Sequence, residues 1–144
     1  MLINLALGLP TMVVCLLFQT MLLVVTMRYY QNHRNQLSDS SVWSGLMVIS
    51  MVMLLLVAGN LGQIAIWAFL FMLLGEFQTL NEAFYHSAVN FATLGYGDIV
   101  MSSEHKLLGP LQAVNGVLMI GVSTAALMSA FQDAIRKTVQ ARKH

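Results

Sequence analysis

Polar and apolar positions in this chain separate into long blocks. No Asp, Glu, Lys or Arg falls between Met1 and Met27, between Ser40 and Gly75, or between Leu107 and Gln132. Each gap reaches or exceeds the ~20 apolar residues that carry a helix across a bilayer core, so the pattern predicts three membrane-spanning helices. The first gap lacks the basic start and small-residue cleavage site of a signal peptide, which predicts a retained helix. The second block, taken over residues 42–75, would be about 51 Å long as a helix, well beyond a hydrocarbon core of about 30 Å. It must therefore tilt, bend or protrude. Gly59 and Gly62 offer a bend, and Trp43 and Trp67, about 36 Å apart on such a helix, suit two interfacial anchors. Asn60 and Gln63 share a face and have two readings, as ion ligands or as interhelical hydrogen-bond partners.

The segment between the second and third blocks does not cross. Thr79 followed by Glu82 reads as a capping box opening a helix over residues 80–92, about 20 Å long and too short to span. It is expected to be re-entrant, with the run "TLGYGD", residues 93–98, returning toward the side of entry. Irregular backbone at that depth is tolerated only where protein or a water-filled path surrounds it. Gly95 and Gly97 accept positive φ where Leu94 and Tyr96 resist it, so the carbonyls of Thr93, Leu94, Gly95 and Tyr96 can all point one way. The negative end of the short helix dipole would face the same place. One chain supplies a quarter of a cation's shell, and four chains around an axis complete it.

Composition agrees: 58% of residues are hydrophobic and 9% charged, against about one-quarter charged in soluble domains. The few charges set an orientation. Arg28 and Arg34 in the first loop and Arg136, Lys137, Arg142 and Lys143 in the tail predict a cytoplasmic first loop and C-terminus, with the N-terminus and the acidic 76–106 segment outside. A net charge of +1 leaves no basic surface for nucleic acid, and the four histidines are too scattered for a metal site. Cys15 is expected to be a small buried hydrophobe. No nucleophile motif accompanies Glu82, His86, Asp98 and His105, so no enzyme and no cofactor is expected.

"TLGYGD" resembles the signature filter of the potassium channel pore-loop family. "NGVLMIGVSTAALMSAF", residues 115–131, resembles the inner helix of small bacterial potassium channels, and "QIAIWAF", residues 63–69, resembles the outer helix of proteobacterial channels of two-pore-domain type. This chain holds one pore loop. The resemblance implies a filter of Thr93, Leu94, Gly95, Tyr96, Gly97 and Asp98, with potassium held by the first four. It places the family's hinge glycine on Gly116, a position that close packing on the short helix explains equally well. Leu94 stands where valine or isoleucine is commoner. Val89 stands where some relatives carry a glutamate bonded to the filter aspartate, which leaves Asp98 without that partner. His86 stands where relatives carry a tryptophan of the cuff around the filter. It has two readings: a hydrogen bond to Tyr96 of a neighbouring subunit, or a place facing water or bonded to a nearby carbonyl. His105 is expected in an exposed mouth loop with no effect on the filter.

The expected fold is therefore an all-α membrane protein: a potassium-channel pore domain of outer helix, re-entrant pore helix, filter and inner helix, with one extra N-terminal transmembrane helix. The expected divisions are that extra helix over 1–28, a cytoplasmic loop over 29–41, the pore domain over 42–132 and a short basic tail over 133–144. Within the pore domain the outer helix takes 42–75, the pore helix 80–92, the filter 93–98 and the inner helix 107–132. Helical spacing puts Val117, Ile120, Thr124 and Met128 along the pore. The expected function is passive, potassium-selective conduction by a homotetramer in the cell inner membrane. The alternatives are a less selective cation channel and a non-conducting regulatory subunit with a pore-like fold. No arginine ladder marks a voltage sensor. The first helix could brace the pore domain or receive a partner.

Overall fold

The structure, a computed structural model, describes residues 1–33 and 42–141, with the side chains of 42, 44 and 137–141 left undescribed. Four helices follow in order: α1 (Leu2–His33), α2 (Val42–Leu73), α3 (Leu80–Phe91) and α4 (Leu108–Ala141). Three of them, over Leu2–His33, Gly45–Leu73 and Leu108–Arg136, are long and apolar enough to cross a membrane. The chain is a multi-pass membrane protein, an all-α bundle of three spanning helices with one further short helix.

Contacts fix how the helices run. Asn4 Nδ2 donates to the Glu104 carbonyl at 2.8 Å, Gln19 Nε2 to Ser123 Oγ at 2.9 Å, and Tyr30 Oη to the Ala130 carbonyl at 3.2 Å, so α1 and α4 lie parallel. α2 runs antiparallel to both. α3 packs on α2 and α4, and α1 packs on the same two helices.

The buried residues of α1 are Asn4, Gly8, Cys15, Gln19, Thr26 and Tyr30. They fall into pairs repeating every eleven residues, the period of a face that stays on one side of a right-handed supercoil. Most are small or polar, while Leu9, Val13, Leu17, Met21 and Val24 are exposed. That inversion is physical: lipid supplies no hydrophobic drive between helices, so association rests on close approach and on hydrogen bonds between polar side chains. Gln63 Nε2 donates to Gln19 Oε1 at 2.7 Å, Asn115 Nδ2 to Gln63 Oε1 at 3.4 Å, and Ser123 Oγ to Asn60 Oδ1 at 3.4 Å. Asn60 and Gln63 are thus interhelical partners.

Several expectations change. α2 continues unbroken through Gly59 and Gly62. These glycines admit α1: a Cβ on Gly59 would overlap the Leu22 side chain, and one on Gly62 would stand 3.0 Å from Phe18 Cζ. Trp67 is no interfacial anchor, being fully buried in a core with Cys15, Ala68, Phe71 and Leu108, whereas Trp43 is exposed. α1 continues five residues past Arg28, because Tyr30 still has α4 to pack on through a cluster with Val48, Val52, Leu56, Ala130 and Ala134. α4 continues past Gln132, with no proline or glycine after Gly121 to stop it. α2 ends at Leu73, where Gly75 at φ 70° closes it: Gly75 N–H bonds the Met72 carbonyl and Glu76 N–H the Phe71 carbonyl. That is a Schellman cap, which needs glycine at this position. Arg34 and most of the expected cytoplasmic loop, and Arg142 and Lys143 of the expected tail, lie outside the described residues.

Candidate functional site

α3 starts as its capping residues dictate. Thr79 is extended, and its hydroxyl accepts the Glu82 N–H at 3.3 Å. The buried face of α3 carries Ala83, His86, Ser87 and Phe91. Ser87 Oγ donates to the Ile64 carbonyl at 2.7 Å while Gln112 Nε2 donates to Ser87 Oγ at 2.5 Å and to its carbonyl at 3.0 Å, so one hydroxyl joins three helices. The far end of α3 meets α4 at Gly116. A Cβ there would overlap the Phe91 carbonyl oxygen and stand 2.8 Å from its carbon. This contact accounts for the glycine by packing, the second of its two readings, and α4 runs through the position without a break.

Beyond α3 the chain folds back. Ala92 caps the helix, Thr93 N–H bonds the Asn90 carbonyl and Leu94 N–H the Val89 carbonyl, both at 2.9 Å. φ is then positive at alternate residues: 58° at Thr93, 58° at Gly95 and 74° at Gly97. The two glycines follow expectation, but Thr93 does not. A β-branched residue at positive φ costs on the order of 1–3 kcal/mol and persists only where its surroundings impose it. Such alternation is the backbone pattern that permits successive carbonyls to share one side of the chain. No donor among the described residues reaches the carbonyls of residues 93–97. Residues 92–98 are all exposed in the single chain.

The segment is tied back to α3 at its far end. Tyr85 Oη donates to Asp98 Oδ2 at 2.7 Å. Asp98 therefore has a partner, supplied from α3 four residues before the Val89 at which it was sought. That bond holds the Asp98 carboxyl below its ordinary range. His86 Nδ1 lies 2.9 Å from the Ile99 carbonyl, and its Nε2 lies 2.8 Å from Asn90 Nδ2. A carbonyl can only accept, so Nδ1 carries the proton and Nε2 accepts from Asn90. Both ring nitrogens are occupied, leaving none for Tyr96; the nearby-carbonyl reading is the one observed. Phe71 and Phe77 flank the imidazole with centroids at 5.7 and 5.0 Å. Burial there pushes its pKa below the usual value, against the pull of the Ile99 carbonyl and of Asp98 and Glu76. Val89 is buried and contributes its carbonyl to Leu94.

His105 is not an unattached mouth residue. Its Nδ1 lies 2.5 Å from Glu76 Oε1, and the same carboxylate accepts Ser102 N–H and Oγ–H at 2.7 Å. Burial opposes the Glu76 charge, but the Ser102 bonds and His105 outweigh it and lower the Glu76 pKa. The clamp ties the end of α2 to the approach to α4. Among the described residues no cluster of His, Cys, Asp or Glu could hold a metal ion.

On α4, Val117, Ile120, Thr124 and Met128 all lie on an exposed face, with Thr124 Oγ1 bonded to the Ile120 carbonyl at 2.8 Å. Gln112, Asn115, Met119, Ser123 and Ala130 form the opposite, buried face. Sequence reasoning missed Glu76, Tyr85, Ser87, Asn90 and Gln112. Their signal was their polarity among apolar neighbours.

Residues 51–133, more than half of the chain, match the family model described as "Ion channel". The chain belongs to this ion channel family. The match takes in most of α2, all of α3 and the returning segment, and α4 to Asp133, and it leaves α1 outside. Ion channel membership makes the chain a transport protein and not an enzyme. A curated relative, potassium voltage-gated channel subfamily A member 2 of Oncorhynchus mykiss, is 35% identical over 57 residues, which is 39% of this chain and 12% of that protein. The chain thus matches about an eighth of that relative's length. No solved structure matches the chain.

Proposed function

We propose that the chain is one subunit of a homotetrameric, potassium-selective channel that conducts potassium passively across the cell inner membrane. The observation that carries this reading is the alternation of positive φ at Thr93, Gly95 and Gly97, with the carbonyls of this segment bare and its far end bonded to α3. In this reading α3 is a re-entrant pore helix and residues 93–98 are the filter. α2 is the outer helix and α4 the inner helix, with Val117, Ile120, Thr124 and Met128 along the pore. The N-terminus faces outward and the C-terminus the cytoplasm. Carbonyls of Thr93, Leu94, Gly95 and Tyr96 from four chains replace the hydration shell of potassium, and sodium, which holds its water more tightly, is disfavoured. The potassium channel name of the matched relative favours potassium over other cations.

The test is rubidium and potassium flux into liposomes holding the purified protein, with barium as blocker and with sodium substituted for potassium. Selective flux that barium stops, lost when Gly95, Tyr96 and Gly97 become alanine, is the expected result. A reversal potential that follows sodium as readily as potassium would replace this reading with a less selective cation channel. Ordered tetramers without flux would replace it with a non-conducting subunit.

A further inference from the structure

α1 lies outside the stretch that matches the ion channel family, and the candidate site is built by α2, α3 and α4. Its bonds to α4 are ordered by depth. At one end Asn4 holds the Glu104 carbonyl just before α4, and Gly8 lies so close that a Cβ would stand 2.6 Å from Leu111 Cδ1. Midway, Gln19 donates to Ser123 of α4 and accepts from Gln63 of α2, so one side chain ties three helices. At the far end Tyr30 Oη reaches both the Ala130 carbonyl at 3.2 Å and Asp133 Oδ2 at 3.0 Å.

The last contact differs in kind from the other two. The Asn4 bond is to a loop carbonyl beside the Glu76 clamp, and Gln19 is fixed from two sides. Tyr30 bonds α4 more than one helical turn past Thr124, where that helix carries small residues, Ala130 and Ala134, against the tyrosine ring. The face of α4 holding Thr124 and Met128 points the other way and is exposed. Any displacement of this half of α4 relative to the rest of the bundle must either carry α1 with it or break the Tyr30 bonds.

We propose that α1 is a clamp on α4, and that the Tyr30 hydroxyl is the latch fixing the half of α4 remote from residues 76–107. Where that half lines the pore, the latch sets the balance between conducting and closed states; this part rests on the channel reading above. α1 thus serves as a built-in control element for the inner helix.

The experiment compares the unmodified protein with Tyr30→Phe, which keeps the ring and its packing, in lipid nanodiscs by hydrogen exchange. Tyr29→Phe is the control, removing a hydroxyl that bonds no described residue. Amides over 126–136 should exchange about five-fold faster in Tyr30→Phe, the factor one lost hydrogen bond carries, with 108–116 unchanged. In planar bilayers the open fraction of Tyr30→Phe should shift by a similar factor, with the potassium-to-sodium permeability ratio unchanged. Equal exchange in the two proteins would overturn the clamp. Faster exchange with an unaltered open fraction would overturn the control of gating. A protein that conducts in no form would overturn the channel reading, and the exchange rates alone would then decide the clamp.

Discussion

Replacing Gly116 with alanine puts a methyl group where the Phe91 carbonyl oxygen already stands. The added carbon would also lie 2.8 and 2.9 Å from the carbonyl carbon and Cα of Phe91, and all three obstacles are backbone atoms that no rotamer change can clear. Either α4 retreats from α3 or the last peptide of α3 tilts. Overpacking of this kind costs about 1–3 kcal/mol, from which the gain of alanine over glycine in a helix, up to about 1 kcal/mol, is subtracted. Because every obstacle is backbone the cost sits toward the upper end of that range, and a net loss of up to about 2 kcal/mol is expected. Gly121 gives the control, since a Cβ there meets nothing within 4 Å in the single chain, so Gly121→Ala should be neutral or slightly stabilising. Thermal unfolding in detergent separates the two variants. Phe91 lies two residues before Thr93, so Gly116→Ala should also degrade the potassium-to-sodium ratio of any flux. A hinge would behave differently, with open fraction falling and selectivity intact. Gly116→Ala as stable as Gly121→Ala and equally selective would refute the packing argument.

Tyr85→Phe removes the hydroxyl that holds Asp98, so conduction should run down faster on sustained recording, while the melting temperature changes little because both groups are exposed. His86 has a pKa below the usual value of about 6.5 in the folded protein, so on acidification the unfolded chain takes up this proton first. Stability should therefore be full above about pH 6.5 and fall below it, and His86→Gln should flatten that slope in a series of melts. Glu76 has a lowered folded pKa, so its contribution is present above the ordinary carboxylate range and lost as pH falls through the folded value. The stability difference between unmodified protein and Glu76→Gln should be full at neutral pH and shrink below about pH 4; a difference independent of pH would remove the charge from the explanation.

The spanning helices were legible because the absence of charge over about 20 residues has one common cause, hydrocarbon. The start of α3 was legible because Thr79 and Glu82 use a local device whose partners are three residues apart. What escaped was non-local. Trp67 reads as an interfacial anchor by residue type, and only the arrival of Cys15 and Leu108 from other helices makes it a core residue. The eleven-residue recurrence of Asn4, Cys15 and Thr26 and of Gly8, Gln19 and Tyr30 was present in the sequence. It is a pattern of small and polar positions, whereas amphipathicity is ordinarily sought in apolar ones. The partner of Asp98 was sought at Val89 and found at Tyr85, one helical turn earlier on α3. His86 illustrates the limit most sharply: its residue type fixes one donor and one acceptor, but Ile99 and Asn90 take both only because the chain folds back beside α3.

The bonded side chains beside residues 93–99 all come from α3. Behind residues 93–99, Tyr85, His86 and Asn90 are bonded at 2.7 to 2.9 Å, and Ser87 holds α3 to both neighbouring helices. In front, no donor among the described residues reaches the carbonyls of residues 93–97. A backbone held this firmly from one side and strained at Thr93 does not relax to pair its own carbonyls. On the channel reading proposed above, a cation supplies what these carbonyls lack. In that reading the cation is shared among several copies of the segment and needs no fixed partner.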